Sequence, residues 1–312
     1  MIGDLKGRSL FSLKDYSAED IRLLLNLAHK VKHEKHNGEV HSRFLGKSLA
    51  ILFEKTSTRT RASFETAFGE EGGHPVFLGK NDIQLGGKET LEDTARVLGR
   101  MFDAIAFRGF KDSTVQTLIK YAGVPVYNGL TDTYHPTQIL ADLLTLEEVS
   151  GQLQGHKMVY LGDGRNNMAN SLMIGCAKMG VNFTIAAPKE LQPDPGLVEY
   201  CQKEAEEAFV KLVITDDPLE AVKGADALYT DVWASMGEEA SKQERIKLLR
   251  PYQVNSELLK NTGKDSTIFL HCLPAERDYE VTADVIDGAQ SRVWDQAENR
   301  KHTIKALMLA TL

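Results

Sequence analysis

The sequence predicts an α/β fold of two domains, each a parallel sheet flanked by helices, joined by interdomain helices. Two observations support this fold class. The chain has 312 residues, more than a single hydrophobic core usually holds. Short apolar runs alternate with segments of helical periodicity, and this alternation starts twice, near residue 47 and near residue 156. Such alternation is typical of parallel sheets that helices cover on both faces.

The first domain is predicted to comprise residues 1–134. A helix is expected over 17–36, because Ser17 is a good N-cap residue and two acids follow it in the first turn. The strands expected after it are 47–54, 74–79, 103–109 and 124–129. The helices expected between them are 60–73, 90–102 and 112–123.

A helix over 135–151 is expected to lead into the second domain, residues 152–297. The strands predicted there are 156–164, 181–188, 210–217, 226–233 and 268–274. The helices predicted between them are 166–180, 195–208 and 218–225. The C-terminal segment 298–312 reads as an apolar helix that could pack on either domain, and we assign it to the first.

Composition argues against several classes of protein. A net charge of −7 without a basic cluster disfavours nucleic-acid binding. The sequence contains no apolar run of about 20 residues, the length that a membrane span requires. Three cysteines give no disulfide framework, so a reducing cytoplasm is expected. Without a CxxC motif or a clustered His/Cys pair, no metal site is expected.

The segment Ser57–Thr60 (STRT) follows a predicted buried strand and precedes a helix. In open parallel sheets, ligands bind at the carboxyl ends of the strands. A helix N-terminus offers unpaired N–H groups and partial positive charge, and Arg59 adds a planar fork that matches phosphate oxygens. The alternative is a plain N-cap beside solvated arginines. Arg108 follows another strand and is either a second anion ligand or a solvated edge residue.

Polar side chains also follow other predicted strands. His135 and Gln138 lie one helical turn apart, and a neutral imidazole there could donate to a carbonyl oxygen or simply cap the helix. Cys272 is either a reactive thiol or an inert buried one. Asp231 suits an ammonium group, with Ser235 nearby. Asn166 and Asn167 suit a carboxylate at a helix start.

Six motifs occur in order along the chain: STRTR, FRG, HPTQ, DVWASMG, HCLP and ENR. Together they resemble the aspartate/ornithine carbamoyltransferase family, and the resemblance covers nearly the whole chain. The asparagine pair, DVWASMG and HCLP resemble the ornithine branch. The aspartate branch would be expected to carry HPLPR in place of HCLP.

The resemblance implies a role for each motif. The phosphate of carbamoyl phosphate is expected to contact Ser57, Thr58, Arg59, Thr60 and Arg108. The residues expected around the carbamoyl group are His135, Pro136, Thr137, Gln138, Cys272, Leu273 and Arg300. The family's ornithine contacts correspond to Asn167, Asp231, Ser235 and Met236. Gln84, with Lys88 nearby, resembles a loop that a neighbouring subunit contributes, which implies a homotrimer or a multiple of trimers.

The implied reaction converts carbamoyl phosphate and L-ornithine into L-citrulline and phosphate by direct attack of the δ-amine, as part of arginine metabolism. No metal or organic cofactor is expected. The residues expected to take part in catalysis are Arg108, His135, Asp231, Cys272 and Arg300. Cys272 is expected near the δ-amine and Asp231 near the α-ammonium, while the group that accepts the proton stays open.

The sequence leaves three alternative functions open. Another carbamoyltransferase would act on putrescine or an acylated ornithine. A dinucleotide-dependent oxidoreductase would use Gly162 and Gly164, but Asn167 stands where its third glycine is required. A phosphate-sensing module would bind the anion without catalysis.

Overall fold

The computed structural model describes residues 5–80, 82–83, 89–233 and 242–312. It divides into two compact units: unit 1 comprises Met1–Leu144 with Glu298–Leu312, and unit 2 comprises Thr145–Ala297. Among the described residues, every helix is too short or too polar to cross a membrane.

Unit 1 contains a four-stranded parallel sheet in the order β2-β1-β3-β4. Its strands are β1 (Ser48–Phe53), β2 (His74–Gly79), β3 (Ala104–Arg108) and β4 (Val126–Leu130). Its helices are α1 (Ala18–His36), α2 (Thr58–Gly69), α3 (Leu91–Met101) and α4 (Asp112–Ala122). The strands and helices predicted for the first domain are therefore all present.

The order of this sheet determines where a ligand can bind. From β1 the chain passes outward to β2 and then returns to the other side of β1 to form β3. The point between β1 and β3, where the connections change direction, is the usual ligand position in an open parallel sheet. Phe53 and Arg108 are paired there, at the carboxyl ends of the two strands.

Capping residues fix where the helices of unit 1 begin. Ser17 forms a capping box with Asp20, as the sequence predicts for α1. The predicted helix 60–73 is shifted, because the Ser57 side chain accepts the Thr60 N–H and α2 therefore begins at Thr58. This correction places the whole of Thr58–Thr60 in the first turn of α2.

Unit 2 contains a five-stranded parallel sheet in the order β7-β6-β5-β8-β9. Its strands are β5 (Lys157–Leu161), β6 (Asn182–Ala186), β7 (Leu212–Thr215), β8 (Ala227–Thr230) and β9 (Ile268–His271). The helices after α4 are α5 (Pro136–Ser150), α6 (Asn167–Lys178), α7 (Pro195–Glu207), α8 (Pro218–Val222), α9 (Lys242–Leu249), α10 (Ser256–Lys260), α11 (Ala283–Ile286) and α12 (Val293–Thr311). Helices α5 and α12 each contain residues of both units.

The change of direction in the second sheet lies between β5 and β8, where Leu161 pairs with Thr230. The Thr230 hydroxyl donates to the Leu161 carbonyl oxygen at 2.7 Å and ties the two strand ends together. Trp233, just beyond β8, is buried in the apolar core of this unit. The second candidate ligand position is therefore at the ends of β5 and β8.

The C-terminal part of α12 is bonded to other elements of unit 1. Lys305, only 3 % exposed, lies 2.9 Å from a carboxylate oxygen of Glu70 and 3.3 Å from one of Glu71. The hydroxyls of Tyr127 and Thr311 lie 2.7 Å apart in the core. These contacts fix the helix that carries Arg300.

Candidate active site

The first turn of α2 lies directly after β1 in unit 1. Ser57 is extended (φ −163°, ψ 122°), and its hydroxyl accepts the Thr60 N–H at 3.1 Å. The first N–H groups of a helix have no acceptor within the helix and carry partial positive charge. Arg59 lies half-buried in this turn. The strand end therefore presents donors and positive charge, which suits an anion.

Two arginines from distant parts of the chain meet at the Thr60 hydroxyl. Arg108, the last residue of β3, donates from Nη1 at 3.3 Å, and Arg300 of α12 donates from Nη2 at 3.0 Å. Thr60 is fully buried. A Cβ at Gly129 would lie 3.0 Å from the Thr60 methyl carbon, so the backbone of β4 packs closely against the Thr60 side chain. The arrangement concentrates two positive charges beside the N-terminus of α2.

The HPTQ segment begins α5, with Pro136 at the first helical position, one residue after the predicted start. His135, Thr137 and Gln138 are all buried, and the Gln138 amide nitrogen donates to Asp142 at 2.8 Å. Thr137 Oγ1 and Gln138 Oε1 are buried without a hydrogen-bond partner among the described residues. A buried polar atom without a hydrogen bond costs free energy, so a ligand that hydrogen-bonds to these two oxygens would bind favourably here.

The electrostatics of unit 1 keep His135 neutral. Burial, followed by the positive charges of Arg300, Arg108 and Arg59, lowers its pKa well below the usual 6.5. A neutral imidazole carries one N–H donor and one acceptor nitrogen. The N–H of the neutral imidazole can therefore donate a hydrogen bond to an oxygen that gains negative charge.

In unit 2, Asp231 follows β8 and is buried. Its Oδ1 accepts from the Cys272 thiol at 3.1 Å and from the Val232 N–H at 2.8 Å, and its Oδ2 accepts from the Asn166 amide at 3.3 Å. Burial raises the pKa of this carboxyl above its ordinary value. Asp231 and Cys272 thus form one polar cluster at the strand ends, able to bind an amine.

Asn166 and Asn167 have different positions. Asn166 is the N-cap of α6: its Oδ1 accepts the Ala169 N–H at 2.8 Å, and its amide donates to the Tyr160 hydroxyl at 2.7 Å. Asn167 is the first residue of the helix. The structure therefore gives Asn166 a structural role as well as its contact with Asp231, while Asn167 lies in the first turn of α6.

Sequence reasoning missed the buried pair of His271 and Glu280. The His271 Nε2 lies 3.2 Å from Glu280 Oε1, and both side chains are fully buried. The Leu273 N–H donates to His271 Nδ1 at 2.8 Å, and the Glu276 N–H donates to Glu280 Oε1 at 2.6 Å. Since Nδ1 accepts, the hydrogen-bond network assigns the imidazole hydrogen to Nε2, which donates to Glu280. This pair holds the HCLP backbone in place, with Leu273 in the left-handed region at φ 59°.

One premise of the sequence analysis, the absence of a clustered His/Cys pair, is wrong. Asp231, His271 and Cys272 each offer one metal-ligating atom, and these atoms lie within 4.8 Å of one another, so a clustered His/Cys pair exists. The His271 nitrogens already bond to Leu273 and Glu280, while the Cys272 thiol bonds to Asp231. An ion at this cluster would have to replace those hydrogen bonds.

The structure therefore brings the predicted residues together in two groups, each within its own unit. Unit 1 groups the anion-binding candidates on β1, β3, α2, α5 and α12, while unit 2 groups Asp231 and Cys272 at the ends of β8 and β9. Four predicted residues lie outside the described residues: Gln84, Lys88, Ser235 and Met236.

Comparison with known proteins gives matches over both units. The family described as aspartate/ornithine carbamoyltransferase, carbamoyl-P binding domain, matches residues 8–148, and its Asp/Orn binding domain matches residues 154–311. An ornithine carbamoyltransferase of Caldanaerobacter subterraneus subsp. tengcongensis is 65% identical over 312 residues, covering 100% of both chains. A catabolic ornithine carbamoyltransferase of Bacillus licheniformis is 54% identical, covering 99% of this chain and 97% of its own. The solved ornithine carbamoyltransferase of Pyrococcus furiosus has a TM-score of 0.96 at 48% identity, covering 98% of this chain and 97% of that one.

Proposed function

Because the chain belongs to the aspartate/ornithine carbamoyltransferase family, we propose that it transfers the carbamoyl group of carbamoyl phosphate to L-ornithine, giving L-citrulline and phosphate. It is thus a carbamoyltransferase of arginine metabolism. Its relatives, matched over nearly their whole length, carry the name ornithine carbamoyltransferase. The observation that carries the proposal is the convergence of Arg108 and Arg300 on Thr60 beside the N-terminus of α2.

The phosphate is proposed to bind at the first turn of α2. Backbone N–H groups of this turn, the hydroxyls of Ser57 and Thr58, and the guanidinium groups of Arg59 and Arg108 supply the donors. Charge-assisted hydrogen bonds of this type are about twice as strong as neutral ones. They also stabilise the phosphate as it departs and gains charge.

The carbamoyl group is proposed to lie against the start of α5. Attack on its carbon places negative charge on the carbonyl oxygen, and the donors proposed there are Thr60, His135 and Arg300. The carbamoyl nitrogen carries hydrogens, and the two buried acceptors Thr137 Oγ1 and Gln138 Oε1 suit them. The backbone of Pro136, Cys272 and Leu273 is assigned to the same group from the family resemblance.

Ornithine is proposed to bind at the polar cluster of unit 2. The Asp231 carboxylate attracts its ammonium groups, and the Cys272 thiol beside it contacts the same amino acid. Asn167, Ser235 and Met236 complete this set by family resemblance. An alkyl amine is protonated near pH 7 and must lose that proton to attack. Asp231, whose pKa is raised by burial, and the departing phosphate are the two groups that we propose as acceptors.

We also propose a homotrimer, or a multiple of trimers, in which Gln84 reaches the site of a neighbouring subunit. Mixing a Gln84→Ala variant with an Arg59→Ala variant should then restore part of the activity. Failure to regain activity after verified subunit exchange would argue for self-contained sites. A cytoplasmic location is proposed as well, which agrees with three free cysteines.

The deciding experiment measures citrulline-type product from carbamoyl phosphate with ornithine, putrescine and aspartate side by side. We expect turnover with ornithine to exceed that with the other two by orders of magnitude. Arg59→Ala should reduce it by about 10²–10³-fold. The matched control is Arg61→Ala, since Arg61 is exposed, pairs with Glu65 at 2.9 Å and should be replaceable. Equal losses in both variants, or a preference for another amine, would contradict the assignment.

A further inference from the structure

Three side chains with metal-ligating atoms meet on α1 and α12, outside the residues assigned to the substrates. His36 is the last residue of α1, while Glu298 and His302 lie one turn apart on α12. The Glu298 Oε1 lies 3.1 Å from His36 Nε2 and 3.0 Å from His302 Nε2. One ligand atom from each residue falls within 4.8 Å of the others. Glu298 begins the ENR motif, of which the proposed reaction uses only Arg300.

These separations are close to those of a tetrahedral metal site. Zinc binds histidine nitrogen and carboxylate oxygen at roughly 2.0–2.2 Å, so neighbouring ligands in a tetrahedron lie about 3.3–3.6 Å apart. The two observed distances fall short of this by only a few tenths of an ångström. The ligand atoms of the two histidines lie within 4.8 Å of each other, and an ion between the three groups would replace the two hydrogen bonds to Glu298.

We propose that His36, Glu298 and His302 bind a divalent transition-metal cation such as Zn²⁺, with water as the fourth ligand. Imidazole suits zinc, copper and nickel, and a single carboxylate is compatible with them. Magnesium and calcium prefer sites built from oxygen alone, which two imidazoles do not provide. The two imidazoles and one carboxylate therefore favour a transition-metal ion over magnesium or calcium.

The surroundings of the three ligands allow a cation to bind. The His302 side chain is fully buried, so the ion would be partly enclosed on the α12 side. His36 is 56% exposed and leaves a path from solvent. The nearby ammonium group of Lys32 is bonded to Asn299 at 2.8 Å, and that of Lys301 is paired with Glu70 at 3.3 Å.

One feature limits the expected affinity. Metal-binding histidines almost always donate their second N–H to another group, and loss of that contact costs roughly 10–100-fold in affinity. The His302 Nδ1 is buried and has no hydrogen-bond partner in the part of the chain that the structure describes. We therefore expect binding in about the micromolar range rather than the tighter binding of a zinc finger.

The ion would connect the C-terminal end of α1 to α12, the helix that carries Arg300. Its role would be to stabilise unit 1 and not to take part in the reaction. Because a ligand that binds only the folded state raises its stability, Zn²⁺ should raise the Tm of the full chain. That rise depends on the three ligands and not on carbamoyl phosphate.

The test is calorimetric titration of Zn²⁺ into the full chain carrying Cys272→Ser, which removes the thiol of the separate cluster in unit 2. His36→Gln and Glu298→Gln, each added to this background, should weaken binding by about tenfold or more and abolish the rise in Tm. The matched control is His33→Gln, which removes another imidazole of α1 and should leave the affinity unchanged. Co²⁺ bound to the Cys272→Ser protein should show ligand-field absorption that His36→Gln removes.

Three results would overturn the proposal: no binding to the Cys272→Ser protein at submillimolar Zn²⁺, unchanged affinity in His36→Gln, or an equal loss in His33→Gln. None of these outcomes bears on carbamoyl transfer, which the product assay tests separately. The exposed His36 and half-exposed Glu298 are chosen because their replacement leaves the buried His302 in place.

Discussion

The Thr60 hydroxyl provides the sharpest test of the unit 1 site. It accepts hydrogen bonds from Arg108 at 3.3 Å and from Arg300 at 3.0 Å. Thr60→Val replaces the hydroxyl with a methyl group of similar size and leaves both guanidinium groups without this acceptor. A hydrogen bond to a charged group contributes about 1.5–3 kcal/mol to folding stability, so Thr60→Val should also lower the Tm. Thr60→Ser keeps the oxygen and loses only the methyl carbon beside Gly129.

The assay is kcat/KM for carbamoyl phosphate, measured together with Tm. Thr60→Val also removes a donor proposed for the carbamoyl oxygen, and loss of one such donor typically costs about 10²–10³-fold, so kcat/KM should fall by about two to three orders of magnitude. Thr60→Ser should stay within about tenfold of the unmodified enzyme. If Thr60→Val fell less than threefold, or if Thr60→Ser lost as much as Thr60→Val, the hydroxyl would not be what positions the two arginines.

Three further predictions concern stability. Glu280→Leu leaves the buried His271 N–H without its acceptor and should lower the free energy of unfolding by about 1–3 kcal/mol in denaturant titrations, whereas Glu280→Gln keeps an acceptor and should cost less. The pKa of His135 is depressed on folding, so the unfolded chain binds more protons than the folded chain below about pH 6.5. The free energy of unfolding should therefore decrease as the pH is lowered below this value, by up to about 1.36 kcal/mol per pH unit, and His135→Gln should show a shallower slope. Lys305→Met breaks a buried ion pair and should cost about 3 kcal/mol, compared with about 0.5 kcal/mol or less for Lys30→Met, whose side chain is 68% exposed; equal costs would contradict the role of α12.

Local patterns in the sequence were sufficient to predict the two sheets and most of their helices. Alternation of apolar runs with helical periodicity depends on nearby residues only, and the capping chemistry of Ser17 is equally local. Helices α9, α10 and α11 are absent from the prediction; they are 8, 5 and 4 residues long, too short for periodicity to mark them, whereas the equally short α8 begins at Pro218 directly after a predicted strand. The predicted start of α2, residue 60, is two residues late, because the helix begins directly after the Ser57 cap.

The site followed only partly from the sequence. Hydroxyls and arginines at strand ends could be recognised as anion-binding groups one strand at a time. That Thr60 contacts Arg300, 240 residues away, depends on strand order and on where α12 packs, and neither is encoded locally. The same limit explains Glu280, because a buried acid looks like an exposed one in sequence until its partner His271 is located.

The make-up of unit 1 has a consequence for synthesis of the chain. Its sheet is encoded before residue 144, but the unit also requires residues 298–312. A ribosome must therefore translate all of unit 2 before the nascent chain can complete unit 1. A premature stop near residue 297 would leave Glu70 and Glu71 without Lys305 and remove Arg300 altogether. Such a product would expose the apolar surface that α12 covers and become a target for chaperones and proteases.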